Sequence, residues 1–328
     1  TVTNSDTIPS SPSSRRMIRY IWSWVCWYFR PLIKWFLHQT TQMCELQRIC
    51  YGRPSGAPRT LDVERSLRQS RNLDIKTLVA RLDEIAAERG INNKTERGVL
   101  EDAIRTVLLT KRINPTAHPD FAKSFGKCVE LIWGYQQLTA ECEELRKDPY
   151  DSDNPEHELK LLKLWNLLKR DESLQSRVTK QWQDIGFQGD DPKTDFRGMG
   201  ILGLENLLYF AQEYPSAASR ALSHSSHPLH GYAFAIVGIN LTSMAMRLLR
   251  DGTAKTHVYN SSKTLPTVRA FHQFYSYLFY EFDSFWIESK PTNMMEFSSI
   301  QSKFETGIRL ALANPSTVFR INVSVDDV

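Results

Sequence analysis

Apolar residues return at helical spacing through almost all of this sequence, and that periodicity constrains the fold more than any other feature. Leu100, Ala103, Ile104, Val107 and Leu108 make one stripe. Leu161, Leu164, Trp165 and Leu168 fall at i, i+3, i+4 and i+7. Phe271, Phe274, Tyr275, Leu278, Phe282, Phe285 and Trp286 keep the same period over about four turns. The spacing predicts helices over 73–87, 99–109, about 121–146, 201–211 and 232–249. Asp153 followed by Glu156 has the spacing of a capping box and predicts a further helix start there. Strict alternation occurs only in a short tail, 318–325. Without the β–α alternation of a nucleotide-binding sheet, the expected fold class is all-α, a multi-helix domain with an aromatic-rich N-terminal helix.

The chain has 328 residues, of which 41% are hydrophobic and 24% charged, so it can bury a core. The net charge of +4 is too small to argue for nucleic acid. It is unevenly placed. Residues 1–60 hold Arg15, Arg16, Arg19, Arg30, Lys34, Arg48, Arg53 and Arg59 against Asp6 and Glu45, a net of +6, which leaves −2 for the rest. A basic end of this kind suits a local anionic surface such as lipid. The five cysteines are odd in number and form no CxxC, which favours a reducing compartment over a disulfide framework. Cys128 and Cys142 sit in apolar helical context and read as core thiols. Asn93, Asn240, Asn260 and Asn322 match the glycosylation pattern, a coincidence in the absence of a secretory context.

Organisation follows from composition. Residues 1–16, rich in Ser, Thr and Pro, are expected to be a disordered tail. Residues 17–37, MIRYIWSWVCWYFRPLIKWFL, carry four tryptophans interleaved with basic residues. Their uninterrupted apolar run, Tyr20 to Phe29, is half the ~20 residues a spanning helix needs. Aromatic rings beside Arg and Lys suit the membrane interface. The alternatives are a Trp-rich helix packed on the protein's own core, or a spanning anchor in which Arg19 and Lys34 snorkel. We therefore divide the chain into a membrane-associating segment at 17–50, a helical region at 51–120 that opens with the Gly/Pro linker 51–60, a main domain at 121–315 and a tail at 316–328.

Several motifs fail on context. Gly198-Met199-Gly200-Ile201-Leu202-Gly203 matches GxGxxG but follows a turn rather than a strand, and no P-loop pattern occurs. Asp151-Ser152-Asp153 begins like a calcium loop, yet Glu156 stands where glycine is required. His224, His227 and His230 are spaced by three but interrupted by Pro228, and no nearby cysteine supports zinc. The densest polar feature is Trp182–Gly200, WQDIGFQGDDPKTDFRGMG, whose four glycines and proline predict a loop. Arg197 then lies just before a helix N-terminus, where free N–H groups and the dipole favour an anion. An arginine there needs balancing. Asp190, Asp191 and Asp195 can do so within the molecule, or a phosphate can do so from outside; both readings remain open on these residues.

The segment Trp182–Phe210, WQDIGFQGDDPKTDFRGMGILGLENLLYF, closely resembles the signature of the ELMO domain. CELQRICY (44–51), PYDSDNPEHE (149–158), GYAFAIVGINLT (231–242) and FHQFYSYLFYEFDSFW (271–286) agree with it. The length and aromatic N-terminus look like the small ELMO domain-containing proteins rather than the large ELMO scaffolds. The resemblance implies a GTPase-activating protein for Arf-family GTPases, chiefly Arf-like ones in the GTP-bound state. The family's proposed catalytic arginine falls on Arg197, inside the matching D-F-R-G. Asp195, Gly198, Gly200, Asp191 and Lys193 are the flanking positions expected to support the loop or meet the partner; Gly198 and Gly200 would allow close backbone approach, and Asp195 could orient Arg197. Trp182 and Phe187 are expected to be core. No cofactor is expected in this chain, because Mg²⁺ and GTP travel with the GTPase. The expected location is cytoplasmic and peripheral on intracellular membranes: endoplasmic reticulum, mitochondria or lipid droplets. The alternative function is a non-catalytic helical adaptor that binds a GTPase or another protein.

Overall fold

The computed structural model describes residues 29, 32–86 and 93–321, apart from the side chains of 93–97. The expected tail 1–16, most of the aromatic segment and the residues after 321 lie outside it. No strand forms among the described residues, so the all-α expectation holds. The helices are α1 (32–41), α2 (Glu45–Gly52), α3 (Ala57–Arg68), α4 (Leu73–Ala86), α5 (Asn93–Thr110), α6 (Pro119–Lys147), α7 (Pro155–Leu168), α8 (Gly200–Glu213), α9 (Pro215–Ser225), α10 (Phe234–Arg250), α11 (Lys255–Ser261), α12 (Val268–Ser289) and α13 (Phe297–Leu312). Three short 3₁₀ segments join them: η1 (Lys180–Ile185), η2 (Pro192–Gly198) and η3 (Met294–Glu296).

The 29-residue α6 is the spine. Pro119 sits in its first turn with Asp120, and Arg146 and Lys147 lie in its last turn, each placed as the helix dipole favours. It buries Phe121, Phe125, Trp133 and Leu138. Helix α8 is apolar on nearly every side and is therefore interior, enclosed by α6, α7, α10 and α12. The aromatic stripe of α12 closes that core: Phe279 stacks on Phe210 at 4.9 Å and lies 4.9 Å from Phe234.

Two expectations need correction. The cap of α7 is Asn154, whose side chain accepts the Glu156 N–H at 2.9 Å, while the Asp153 amide donates to Asp151. Pro155 prefers the first helical position, and that moves the cap one residue on. The linker expected over 51–60 shrinks to 53–56, because Tyr51 and Gly52 finish α2 and Pro58 fits the first turn of α3. The described part of the tail, through 321, is irregular, and Phe319 stacks on Tyr277 at 4.4 Å.

Helices α2 and α3 pack on α6, and α3 also packs on α11. Buried Glu64 of α3 accepts from Lys255 Nζ at 2.6 Å and from the Tyr259 hydroxyl at 3.1 Å. Asn260 accepts the Ala57 N–H and donates to the carbonyls of Pro315 and Thr317. The start of α3 and the segment that follows α13 therefore meet at α11.

His257 and His272 are buried in this core. His257 accepts the Phe319 N–H at 3.1 Å, and His272 bonds to Asn206 at 2.7 Å. Burial lowers each from 6.5 to about 4, so both rings fold neutral. The unfolded chain takes up these protons near pH 6.5 and the folded chain only near 4. Their stabilisation is thus full above 6.5 and declines as pH falls toward 4. Denaturant midpoints should drop between pH 7 and pH 5. His257→Gln can still accept from Phe319 and does not titrate, so it should flatten that slope by up to about 1.4 kcal/mol per pH unit. An unchanged slope in urea titrations would refute this account of His257.

Candidate functional site

The segment around Arg197 rests on a line of buried rings. Trp182 meets Trp165 edge-on at 5.5 Å and Phe187 at 5.9 Å. Phe187 meets Phe196 at 5.5 Å, and Phe196 meets Tyr150 at 5.2 Å. Trp182 also donates its indole N–H to the Arg177 carbonyl at 2.9 Å. The expectation that Trp182 and Phe187 are core is met: both are buried, as is Phe196 directly before Arg197. The glycine-rich segment is not one loop. It is η1, a tight turn over 186–191, and η2, with α8 starting at Gly200.

Two glycines fix the ends of this unit. Gly186 has φ +83°, and a Cβ there would lie 2.2 Å from the Phe234 nitrogen. Its carbonyl accepts the Ile236 N–H. Gly200 has φ +53°, and a Cβ would lie 2.3 Å from the Asp148 carbonyl oxygen and 2.5 Å from that of Arg146. The Ile201 N–H donates to Asp148 at 2.9 Å. The close approach at Gly200 is therefore to the end of α6 in this chain, not to a partner. Gly198 is exposed with open space around it.

Within η2, Asp191 is the N-cap and accepts the Lys193 N–H at 2.9 Å. It also accepts from Arg177 at 2.9 Å. Lys193 reaches Ser152 Oγ at 3.1 Å. Asp195 accepts the Gln188 N–H at 2.9 Å and so closes the turn. Burial pushes its carboxyl up, against the lowering effects of that amide and of the nearby Arg197 charge. Asp190 accepts the Thr179 N–H through its carbonyl and binds Gln183 through its side chain. The salt-bridged alternative for Arg197 does not form. Arg197 is exposed, and among the described residues no carboxylate bonds to its guanidinium. The arrangement is an ordered, buried-backed turn that presents the Arg197 guanidinium without a bonded carboxylate.

Composition and spacing gave no hint of the residues that brace this turn from outside. Arg177 donates from Nε to Glu158 at 2.5 Å and from Nη1 to Asp191. Tyr150 donates to the other oxygen of Glu158. Arg146 bonds Glu143 and reaches the Gly198 carbonyl at 3.4 Å. Tyr150 and Glu158 fall within PYDSDNPEHE, so the family resemblance touched them. Arg177 had no signal, since its partners lie 19 and 14 positions away.

With that geometry in place, comparison with known proteins is decisive. The ELMO/CED-12 family model matches residues 140–301. The chain belongs to the ELMO/CED-12 family. It is 43% identical over 318 residues to ELMO domain-containing protein 1 of Mus musculus, an alignment that takes in 92% of this chain and 93% of that protein. It is 48% identical over 284 residues to ELMO domain-containing protein 2 of Bos taurus, with 86% and 91% covered. ELMO domain-containing protein B of Dictyostelium discoideum is 34% identical over 286 residues, with 84% and 93% covered. No solved structure matches.

Other features of this ELMO-family chain are occupied structurally. His224 bonds Asp283 at 2.8 Å, His230 bonds the Pro291 carbonyl, and His227 accepts two backbone N–H groups. Among the described residues no group of His, Cys, Asp and Glu could hold a metal. The GxGxxG match starts at the end of η2 and runs into α8, with no strand before it. A depression of about 440 Å³ beside α6 and α10 is lined by Glu143, Arg250, Asp251 and Lys255. Each charge there is already paired: Glu143 with Arg250, Asp251 with Arg309, and Lys255 with Glu64.

Gly200→Ala should cost about 1–3 kcal/mol, because it forces a Cβ into positive φ against two carbonyls. Gly198→Ala, in open space, should stay within about 0.5 kcal/mol of wild type. Chemical denaturation of both checks the contrast; equal stabilities would show that Gly200 is not the pivot.

Proposed function

We propose that this chain is a GTPase-activating protein for Arf-family GTPases, chiefly Arf-like ones, and that Arg197 completes their active site in trans. The observation that carries this is the exposed, unpaired guanidinium on a rigid turn, at the position the family resemblance marks. In GTP hydrolysis, charge grows on the β–γ bridging and γ-phosphate oxygens. An arginine inserted there is worth roughly 10³–10⁵ in rate. Its planar, permanently charged fork suits a bidentate phosphate contact that lysine cannot reproduce. The GTPase brings nucleotide, Mg²⁺ and the residue that positions water, so the activator needs no nucleotide motif of its own. Asp195 and Asp191 serve by shaping η2, and Lys193 and Gly198 offer exposed surface to the partner.

In single-turnover hydrolysis by a panel of Arf and Arf-like GTPases, wild type should accelerate the reaction. Arg197→Lys should abolish that acceleration while leaving folding and partner affinity nearly unchanged. No acceleration by wild type, despite measurable binding to a GTP-loaded partner, would favour the non-catalytic adaptor.

The same reading places the protein on the cytoplasmic face of intracellular membranes through residues 17–37. Its support within the described residues is α1, where Leu32, Ile33, Trp35 and Phe36 are all exposed. Lys34 meanwhile pairs with Glu45 at 2.5 Å at the start of α2. Among the described residues no helix is long and apolar enough to cross a membrane, and surface-lying anchors have no such need. Removing residues 1–40 should release the protein from membrane fractions without lowering its activity in solution. Full-length protein that stays in the soluble fraction would count against this anchor.

A further inference from the structure

A finger arginine is only as good as the backbone that aims it, and η2 is a seven-residue 3₁₀ segment with little internal support. Its N-cap is held from outside by Arg177, and Lys193 in its first turn reaches Ser152. Arg177 lies between α7 and η1 and is half-buried. Its fork joins Glu158, on α7, to Asp191, the N-cap of η2. The far oxygen of Glu158 takes the Tyr150 hydroxyl, and the Tyr150 ring packs on Phe196, the neighbour of Arg197. Arg177 thus acts on η2 twice: through its cap, and through the ring beneath the residue next to the finger. Its own backbone is fixed separately, because its carbonyl accepts the Trp182 indole N–H.

We propose that Arg177 is a positioning residue for Arg197: by bridging Glu158 and Asp191 it holds η2 in the conformation that presents the finger. This rests on the reading of Arg197 above. Planar geometry is what the role requires, since one guanidinium serves carboxylates on two different elements. A lysine can neutralise one of them but cannot span both. With no cation there, two carboxylates face each other, the cap opens and η2 frays. Arg177 is half-buried and its bonds run to Glu158 and Asp191, so its loss should weaken alignment more than docking.

Two readouts separate the proposal from the reading it rests on. Amide hydrogen exchange over residues 192–198 tests the clamp without any GTPase. Exchange there should rise about tenfold in Arg177→Met, while α8 and α12 stay protected. Single-turnover hydrolysis at saturating activator tests the consequence. The maximal acceleration of an Arf-like GTPase that responds to wild type should fall about tenfold to a hundredfold in Arg177→Met. The concentration giving half the effect should move by less than about threefold. Arg177→Lys should fall between the two. So should Asp191→Asn, because asparagine caps as well as aspartate but leaves the guanidinium one anion short. These two milder variants keep the test decisive if Arg177→Met does not fold. Unchanged exchange over 192–198, or a wild-type maximal rate in Arg177→Met, overturns the proposal. So does a loss of affinity and thermal stability matching the loss of rate. A wild type that activates no GTPase overturns the reading of Arg197 and the positioning role with it, whereas raised exchange in Arg177→Met still supports the clamp.

Discussion

The site depends on one packing contact, that of the Phe196 ring against Tyr150 and Phe187. Successive residues of a tight turn point in different directions, so a residue locked inward forces its neighbour outward. Phe196 is 1% exposed, and Arg197 beside it is exposed. Burying a phenylalanine is worth about 1.5–3 kcal/mol, and each well-placed ring pair adds about 0.5–1.5. The line from Trp165 through Trp182, Phe187 and Phe196 to Tyr150 therefore supplies enough to keep a short 3₁₀ segment folded with an unspent charge at its tip. Around it the polar groups are spent locally: Asp191 on the Lys193 amide and Arg177, Asp195 on the Gln188 amide. None is left to neutralise Arg197.

On the proposed reading, this arrangement matters energetically when a GTPase docks. Fixing a residue's backbone costs about 1–2 kcal/mol, so ordering seven residues of η2 at the moment of binding would consume much of a typical docking energy. Here that cost is met during folding. What remains is the desolvation and rotamer entropy of one arginine, the latter about 2 kcal/mol. An internal ion pair would reverse the balance, since each docking event would first have to break it. On the proposed reading Asp195 therefore serves the turn rather than the guanidinium: its carboxylate accepts the Gln188 N–H and leaves Arg197 without a bonded partner.

Most of the fold was legible because helical periodicity is local. The stripe over 271–286 became α12, that over 161–168 became α7, and the bounds of α6 and α10 shifted by only a residue or two. The errors have local causes too: Pro155 selected Asn154 over Asp153 as the cap, and Pro58 entered a first turn instead of a linker. At the site, the motif itself marked Arg197. What it could not show is which glycine faces inward or which distant side chain braces the turn. The role of Gly200 is set by carbonyls of Arg146 and Asp148, and that of Arg177 by Glu158 and Asp191. Those relations exist only once α6, α7 and η2 have come together, so no period or spacing encodes them.

The same logic decides how much of the chain makes a folding unit. The family match begins at residue 140, inside α6. The part of α6 before that point carries Phe121, Phe125, Trp133 and Leu138, all at most 1% exposed. Its neighbours there include α3 and α5, which precede the match entirely. A chain cut at residue 140 would keep only the last two turns of α6 and lose the apolar face that α3 and α5 cover. It would also remove Glu64, leaving Lys255 and Tyr259 of α11 without their buried acceptor. The end of α6 is the platform for Gly200 and, through Arg146, for the Gly198 carbonyl. Residues before the family signature therefore support the turn of Arg197 mechanically, through the helix on which it is seated.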